Sequence, residues 1–387
     1  MRILMPSGGL RKPCAKYVGM KNVAVLALLV AVFSAGLGVA ASRASSVPTR
    51  RDLAVPRYAH IFVIIEENKD YGQVVGSSDA PTITRLAHEY GNATDFYAET
   101  HPSEPNYVAF IGGYTYGIRD DDGYFCTPHD ANPACPDSNK PGYVNHTIDA
   151  PNLATQLESA GLSWKNYNES LPHAGSLAVV AADPHARGVP PTLQVYAAKH
   201  SGFINFASVQ RDPHRAQHLV DFAQLYADLR SGKVPNFSLI IPNLCNEMHG
   251  ADEPGTPQNC QYSHLGKLIW RGDQNIAAIT QRIMASPVWR AKSNAAIVIT
   301  FDEDGHFPVL DYVGCCGNNP HDPANRGGGH IATVVITNHG PRHVVDNTPY
   351  SHYSLLRTVE DAFGIHTYLR QAGAAGVWPM LPLFRVP

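Results

Sequence analysis

Two runs of β-branched and aromatic residues end directly in acid. His60 to Ile65 (HIFVII) leads into Glu66-Glu67-Asn68, and Ala295 to Phe301 (AAIVITF) leads into Asp302-Glu303-Asp304. Continuous apolar runs of this kind, without alternation, suit strands buried on both faces, the condition of a mostly parallel sheet. In an open α/β sheet, ligands and chemistry collect beyond the carboxyl ends of the strands. Two acidic clusters far apart in sequence can therefore meet at one site if their strands are neighbours. No Lys or Arg lies within either cluster, although Lys69 follows the first. That pattern suits a divalent metal ion better than a salt-bridge lattice.

The rest of the chain continues the alternation. Trp164 to Tyr167, Phe237 to Ile241 and Ile331 to Thr337 read as strands. A helix is expected from Pro81, with Ile83, Leu86, Ala87 and Tyr90 on one face and Pro in its first turn. Further helices are expected at Ala150 to Ala160, around Ile276, Ile279, Ile283 and Met284, and from the N-cap Ser351 to the terminator Gly364. Strands alternating with helices give an α/β fold with a central, mostly parallel sheet flanked by helices on both faces. With no repeat or composition break, residues 57–387 read as a single domain.

The beginning of the chain reads differently. Arg2, Arg11, Lys12, Lys16 and Lys21 precede an apolar stretch from Val23 to Ala40, and Ala41-Ser42-Arg43-Ala44 offers small residues for cleavage. Residues 1–44 thus have the layout of an export signal, followed by a polar linker at 45–56. The alternative is an uncleaved anchor, because the apolar run approaches the length that spans a bilayer. Cysteine usage agrees with an extracytoplasmic, oxidising location: besides Cys14, Cys126, Cys135, Cys245, Cys260, Cys315 and Cys316 make an even number. Loop proximity suggests Cys126 with Cys135 and Cys245 with Cys260. The adjacent Cys315-Cys316 is then either a vicinal bridge or a sign against that pairing. A net charge of −3 gives no electrostatic reason to expect nucleic acid or an anionic membrane as the main partner.

His101-Pro102-Ser103-Glu104-Pro105-Asn106-Tyr107 is the second informative segment. A serine between prolines is expected in a stiff, extended loop, where fixed placement favours a nucleophile. A serine hydroxyl needs a base or a metal to attack, and no GxSxG elbow surrounds Ser103. Read alone, the segment is as well explained by an ordinary turn. Among 19 histidines, His330 draws attention because Gly327-Gly328-Gly329 before it would let a ligand approach the backbone. His352 does so because it opens the last helix, where the dipole favours an anion and disfavours protonating the ring.

Taken in order, Ile65-Glu66-Glu67-Asn68, the His101 to Tyr107 segment, Pro242 to His249 (PNLCNEMH), Thr300-Phe301-Asp302-Glu303 and Tyr350 to Asp361 resemble the phosphoesterase family. That family groups bacterial phospholipases C with acid phosphatases inside the alkaline-phosphatase-like superfamily. The resemblance implies an alkaline-phosphatase-like fold. It further implies metal ligands at Glu67, Asn68, Asp302 and Glu303 for a divalent ion, and a nucleophile at Ser103. His249, His330 and His352 would line a phosphate pocket, with Asn106, Asn243 and Asp273 in supporting positions. Where phospholipases C read ENRSFDHYFG, this chain has Glu67-Asn68-Lys69-Asp70-Tyr71-Gly72, which favours the acid-phosphatase branch. Glu247 stands near His249 where the family often has Asp.

The expectation is a secreted phosphomonoester hydrolase acting through serine on a phosphate-ester substrate. A phospholipase C or other phosphodiesterase is the alternative, and a non-catalytic exported binding protein is the second. Mixed oxygen and imidazole ligands are compatible with Ca, Mn, Zn or Fe.

Overall fold

The computed structural model describes residues 54–305, 310–316, 318, 321 and 326–386. The expected export signal and the linker through residue 53 lie outside the described residues. Eleven strands are described: β1 (His60–Glu66), β2 (Gly91–Tyr97), β3 (Trp164–Asn168), β4 (Val180–Ala182), β5 (Gln194–Ala197), β6 (Leu219–Val220), β7 (Phe237–Ile241), β8 (Ala295–Phe301), β9 (His330–Thr337), β10 (Val344–Asp346) and β11 (Tyr350–Ser351). Nine of them form one sheet in the order β10-β2-β9-β8-β1-β7-β3-β6, with β11 also on β2, while β4 and β5 pair separately. Only β9 runs antiparallel to its neighbours β8 and β2; the other pairings in this sheet are parallel. The fold is therefore α/β with a mixed, mostly parallel sheet.

The central strands are apolar because they have no solvent side. Every residue of β7 and β8, and of β1 after His60, is buried whichever way it points. Helices cover them: Pro81–Glu89 packs against Leu265–Ala285, and Ser103–Gly112 against His352–Phe363. Among the described residues, no helix is long and apolar enough to cross a membrane. The loops are tied by three disulfides, Cys126–Cys135, Cys245–Cys260 and Cys315–Cys316. This is the local pairing suggested by sequence, with the remaining pair vicinal.

The sheet order places the acidic clusters together. β1 lies between β7 and β8, with Ile65 opposite Thr300 and Glu66 opposite Phe301. Backbone bonds continue past the strand ends: Asp302 N–H donates to Glu66 O at 3.0 Å, and Glu67 N–H to Glu247 O at 2.7 Å. Strand β2 ends on the same edge and delivers the chain to Ser103.

Two expectations need correction. Ser103 is not in an extended loop; it opens the helix Ser103–Gly112, with extended Pro102 as N-cap. Pro105 falls in the first turn, where its missing N–H has no intrahelical acceptor to lose, so it does not break the helix. The glycines before His330 admit neighbouring chain, not an open ligand path: a side chain at Gly328 would strike the Thr100 carbonyl, and one at Gly329 would strike Asp304. Gly305 is likewise needed, because a side chain there would strike the Asn68 carbonyl.

Candidate active site

The site sits beyond the carboxyl edge of β1, β7 and β8. Ser103 Oγ lies 3.2 Å from Glu67 Oε2 and 3.2 Å from Glu303 Oε1. Asp302 joins them by accepting the Asn68 N–H at 2.9 Å, and the Asn68 side-chain amide donates to Glu67 Oε2. Asn68 adopts a left-handed backbone (φ 53°), a conformation that Asn tolerates better than most residues and that turns the chain back across the strand ends. Ser103, Glu67 and Asp302 are almost fully buried. Thus Ser103 and all four expected metal ligands share one cluster.

The second carboxylate oxygen of Glu67 faces away from the serine. Oε1 accepts the Tyr107 hydroxyl and lies 3.3 Å from His200 Nε2. On its other side the His200 ring is held by Glu247, Nδ1 to Oε1 at 2.7 Å. His249 completes this group, its Nδ1 on the Gly250 carbonyl at 2.8 Å and its ring 5.2 Å from that of His200. Ligand atoms of Glu67, His200 and His249 all lie within 4.8 Å of one another.

Buried acids and neutral imidazoles meet in this cluster. Burial pushes Glu67 and Glu247 well above the usual carboxylate range, and neighbouring acids push them further. Burial, then Glu303, raises Asp302 to about 7. Burial and the Lys199 charge hold His200 far below its usual value, and the same causes bring His249 down to about 3, so both rings are neutral. A neutral His200 that donates from Nδ1 to Glu247 turns a lone pair from Nε2 towards Glu67. That opposition is relieved by a proton on Glu67 or by a cation between the two groups. Asp302 Oδ2, Glu247 Oε2 and His200 Nε2 are all buried without a hydrogen-bond partner. The donor set therefore fits a divalent ion.

Two lysines are close without supplying that charge at the centre. Lys69 is buried, yet its ammonium donates to the carbonyls of Glu67, Asn68 and Met248 at 2.9–3.2 Å, and burial brings it down to about 8. Lys199 is paired with Asp121 at 2.7 Å. His101 touches Glu303 through Nδ1 and Asp311 O through Nε2 at 3.0 Å. Burial opposes its charged form, but the Glu303 carboxylate outweighs that and holds the ring at about 9.

The other expected residues lie around the cluster. His330 gives Nε2 to the Thr94 carbonyl at 2.7 Å and stacks on Tyr71. His352 Nε2 meets the Phe301 carbonyl at 2.9 Å, bracing the end of β8. Neither ring is brought against Ser103 by these contacts. Asn106 accepts the Glu99 and Thr100 N–H groups and donates to the Thr100 and Pro102 carbonyls, fixing the approach to the serine. Asp273 caps the helix at Pro81 by accepting from Thr82 and Ile83 N–H. Asn243 binds Ser170. His200, Tyr107 and Lys199 were not singled out from sequence, and Glu247 stood out only as a departure from the family pattern.

The chain is similar to several known proteins. A phosphatidylinositol-3-phosphatase of Mycobacterium tuberculosis is 28% identical over 312 residues, 81% of this chain and 79% of that protein. An acid phosphatase of Aspergillus fumigatus is 24% identical over 311 residues, covering 80% of this chain but only 55% of the fungal protein. A Vibrio parahaemolyticus protein of the alkaline phosphatase superfamily overlaps 83% of this chain and 72% of its own, with a TM-score of 0.49 and 11% identity. The model of the Phosphoesterase family matches residues 76–366, most of the chain, and the protein belongs to that family.

Proposed function

We propose that this chain is an exported, metal-dependent phosphomonoesterase with Ser103 as nucleophile. The placement of Ser103 Oγ, 3.2 Å from each of two buried carboxylates just beyond the ends of β1 and β8, carries the reading. Glu67, Asn68, Asp302 and Glu303 would hold a divalent ion, with His200 and His249 facing the far oxygen of Glu67. Such an ion supplies positive charge that stabilises the serine alkoxide and the phosphoryl oxygens.

The chain's own groups do the rest. Ser103 Oγ attacks phosphorus in line, forming the Ser–O–P bond and breaking the bond to the leaving oxygen; the serine proton passes by way of Glu303 to that oxygen, which departs as the alcohol. Water then attacks the phosphoserine, releasing phosphate and restoring the hydroxyl. His101, charged beside Glu303, fixes that carboxylate, and His249 lies beside His200 at the Glu67 oxygen turned away from the serine. His330 and His352 act through the strands that they brace. The barrier for phosphate monoesters is among the highest in biology, so a buried, preorganised site of this kind is required. Three disulfides support an oxidising compartment.

The test is hydrolysis of p-nitrophenyl phosphate beside a choline phosphodiester, before and after chelation, with Ser103→Ala as control. Metal-dependent turnover of the monoester, lost in a folded Ser103→Ala protein, is expected. Wild-type rates in that variant would refute the mechanism, and preference for the diester would move the activity to the phosphodiesterases.

A further inference from the structure

A cavity of about 600 Å³ opens beside His101, two residues before the serine, and the mechanism above makes no use of it. Thr100 and His101, which lead into Ser103, form one wall; Tyr114 and Arg119, Tyr312 and Arg326, and Tyr353 contribute others. The wall is one carboxylate away from the chemistry. His101 contacts Glu303, and Glu303 Oε1 is 3.2 Å from Ser103 Oγ.

Its two guanidinium groups lack acidic partners among the described residues. Arg326 lies over the Tyr312 ring at 4.3 Å, and its Nε is buried with no hydrogen-bond partner. Arg119 is exposed, and the acids that follow it in sequence are engaged elsewhere: Asp120 lies 3.1 Å from His146, and Asp121 lies 2.7 Å from Lys199. Glu99, the acid in the cavity wall, accepts the Tyr353 N–H at 3.2 Å, and burial pushes it up to about 7. A guanidinium without an acidic partner is matched by a phosphate or carboxylate, whose oxygens accept its paired N–H groups. The volume falls within the usual range for a small-molecule site.

We infer that this cavity is a second anion subsite, in which Arg119 and Arg326 bind a phosphate or carboxylate carried on the leaving group of the substrate. The inference rests on the phosphomonoesterase reading and names its substrate class: a ring bearing the scissile phosphomonoester and a second anionic group. The tyrosine rings would flank that ring. Both a soluble bisphosphate and a phosphoinositide headgroup have this chemistry.

Binding can be tested apart from turnover, with full-length Ser103→Ala protein titrated calorimetrically. Glucose 1,6-bisphosphate is compared with glucose 6-phosphate, and short-chain phosphatidylinositol 3-phosphate with inositol 3-phosphate. The two-anion member of at least one pair should bind about tenfold more tightly, the effect of one or two charge-assisted hydrogen bonds. Adding Arg119→Ala or Arg326→Ala should bring that ratio towards one, with Arg326→Lys intermediate. Arg119 is exposed, so its variant keeps the test valid if Arg326→Ala does not fold. Preference in the sugar pair alone would identify a soluble substrate, and in the inositol pair alone a lipid headgroup. Equal affinities within both pairs, or a preference that survives both arginine substitutions, would overturn the inference. Failure of the wild-type protein to hydrolyse p-nitrophenyl phosphate would instead count against the phosphatase reading, which this titration does not measure.

Discussion

Ser103 Oγ and Glu303 Oε1 stand 3.2 Å apart although 200 residues separate them in sequence. A hydroxyl has one proton to donate, and this one has carboxylates on two sides, Glu67 and Glu303. Glu303→Gln keeps the shape but replaces a proton acceptor with an amide and leaves His101 with Asp304 as its remaining acidic partner. The expected result is a fall in kcat of roughly 10²–10⁴-fold, the usual weight of a general base, with a smaller change in KM. Steady-state kinetics on p-nitrophenyl phosphate measure it, and a variant as fast as wild type would remove Glu303 from the proton path.

Chelation should cost stability as well as activity. A ligand that binds only the folded state stabilises it by about 2.7 kcal/mol at a concentration one hundred times its Kd. Thermal melts of dialysed protein should shift upward by several degrees when a divalent salt is restored. His200→Ala should reduce the shift at limiting metal by removing an imidazole that faces Glu67. An unchanged melting temperature across the titration would argue against a bound ion.

Glu360 offers a pH dependence remote from the metal ligands. It is buried and accepts the Leu369 N–H at 2.8 Å, and burial raises its carboxyl to about 7. A raised folded pKa means that the group's stabilising contribution is complete below its unfolded value near 4.5 and is lost as pH rises through 7. Glu360→Gln keeps an acceptor for Leu369 and cannot ionise. The variant should match wild type near pH 4 and exceed it at pH 8 by on the order of 2 kcal/mol. Denaturant unfolding at both pH values checks the sign; a variant weaker at pH 8 would contradict it.

Asn106 holds four backbone groups of the segment that leads to Ser103. Asn106→Ala leaves buried donors and acceptors unmatched, at a cost of about 1–3 kcal/mol. Because the same bonds aim the serine, kcat should fall by tenfold or more while the melting temperature drops only a few degrees. Activity that survives in proportion to the folded fraction would mean that Asn106 is structural alone.

The Cys245–Cys260 bridge closes a separation of 15 residues around Glu247 and His249. Chain-entropy arguments give about 3 kcal/mol for such a loop. Replacing both cysteines by serine should lower stability by that order and weaken metal retention, since Glu247 orients His200. Metal content after dialysis, measured beside stability, separates the two effects.

The sequence exposed the strands whose burial leaves no choice of residue. β1, β7 and β8 are continuous apolar runs, and the acids behind β1 and β8 met as their adjacency required. β2 was not legible: GNATDFY lacks an apolar run, and Thr94, Asp95 and Tyr97 are only partly buried. The helix at Ser103 was misread because two prolines usually mean extended chain, and only the position of Pro105 in the first turn permits a helix. His200 carries no local pattern. It comes from a short 3₁₀ turn after β5, and only tertiary folding brings it 3.3 Å from Glu67, 133 residues away by their numbering. The triple glycine was visible as a close approach, but sequence could not say that the approaching partner is the protein's own backbone.

The order of strands across the sheet also sets when this protein can act. β1 supplies Glu67 early in synthesis, but its neighbour β8, which positions Asp302 and Glu303, is made only in the last quarter of the chain. A nascent or truncated polypeptide ending before Phe301 lacks Asp302 and Glu303, and its serine has no second carboxylate. Contacts this distant in sequence form late and slowly. A chain threaded unfolded through a membrane would therefore carry no phosphatase activity on the side where it is made, and the reaction would begin only where the last strands fold.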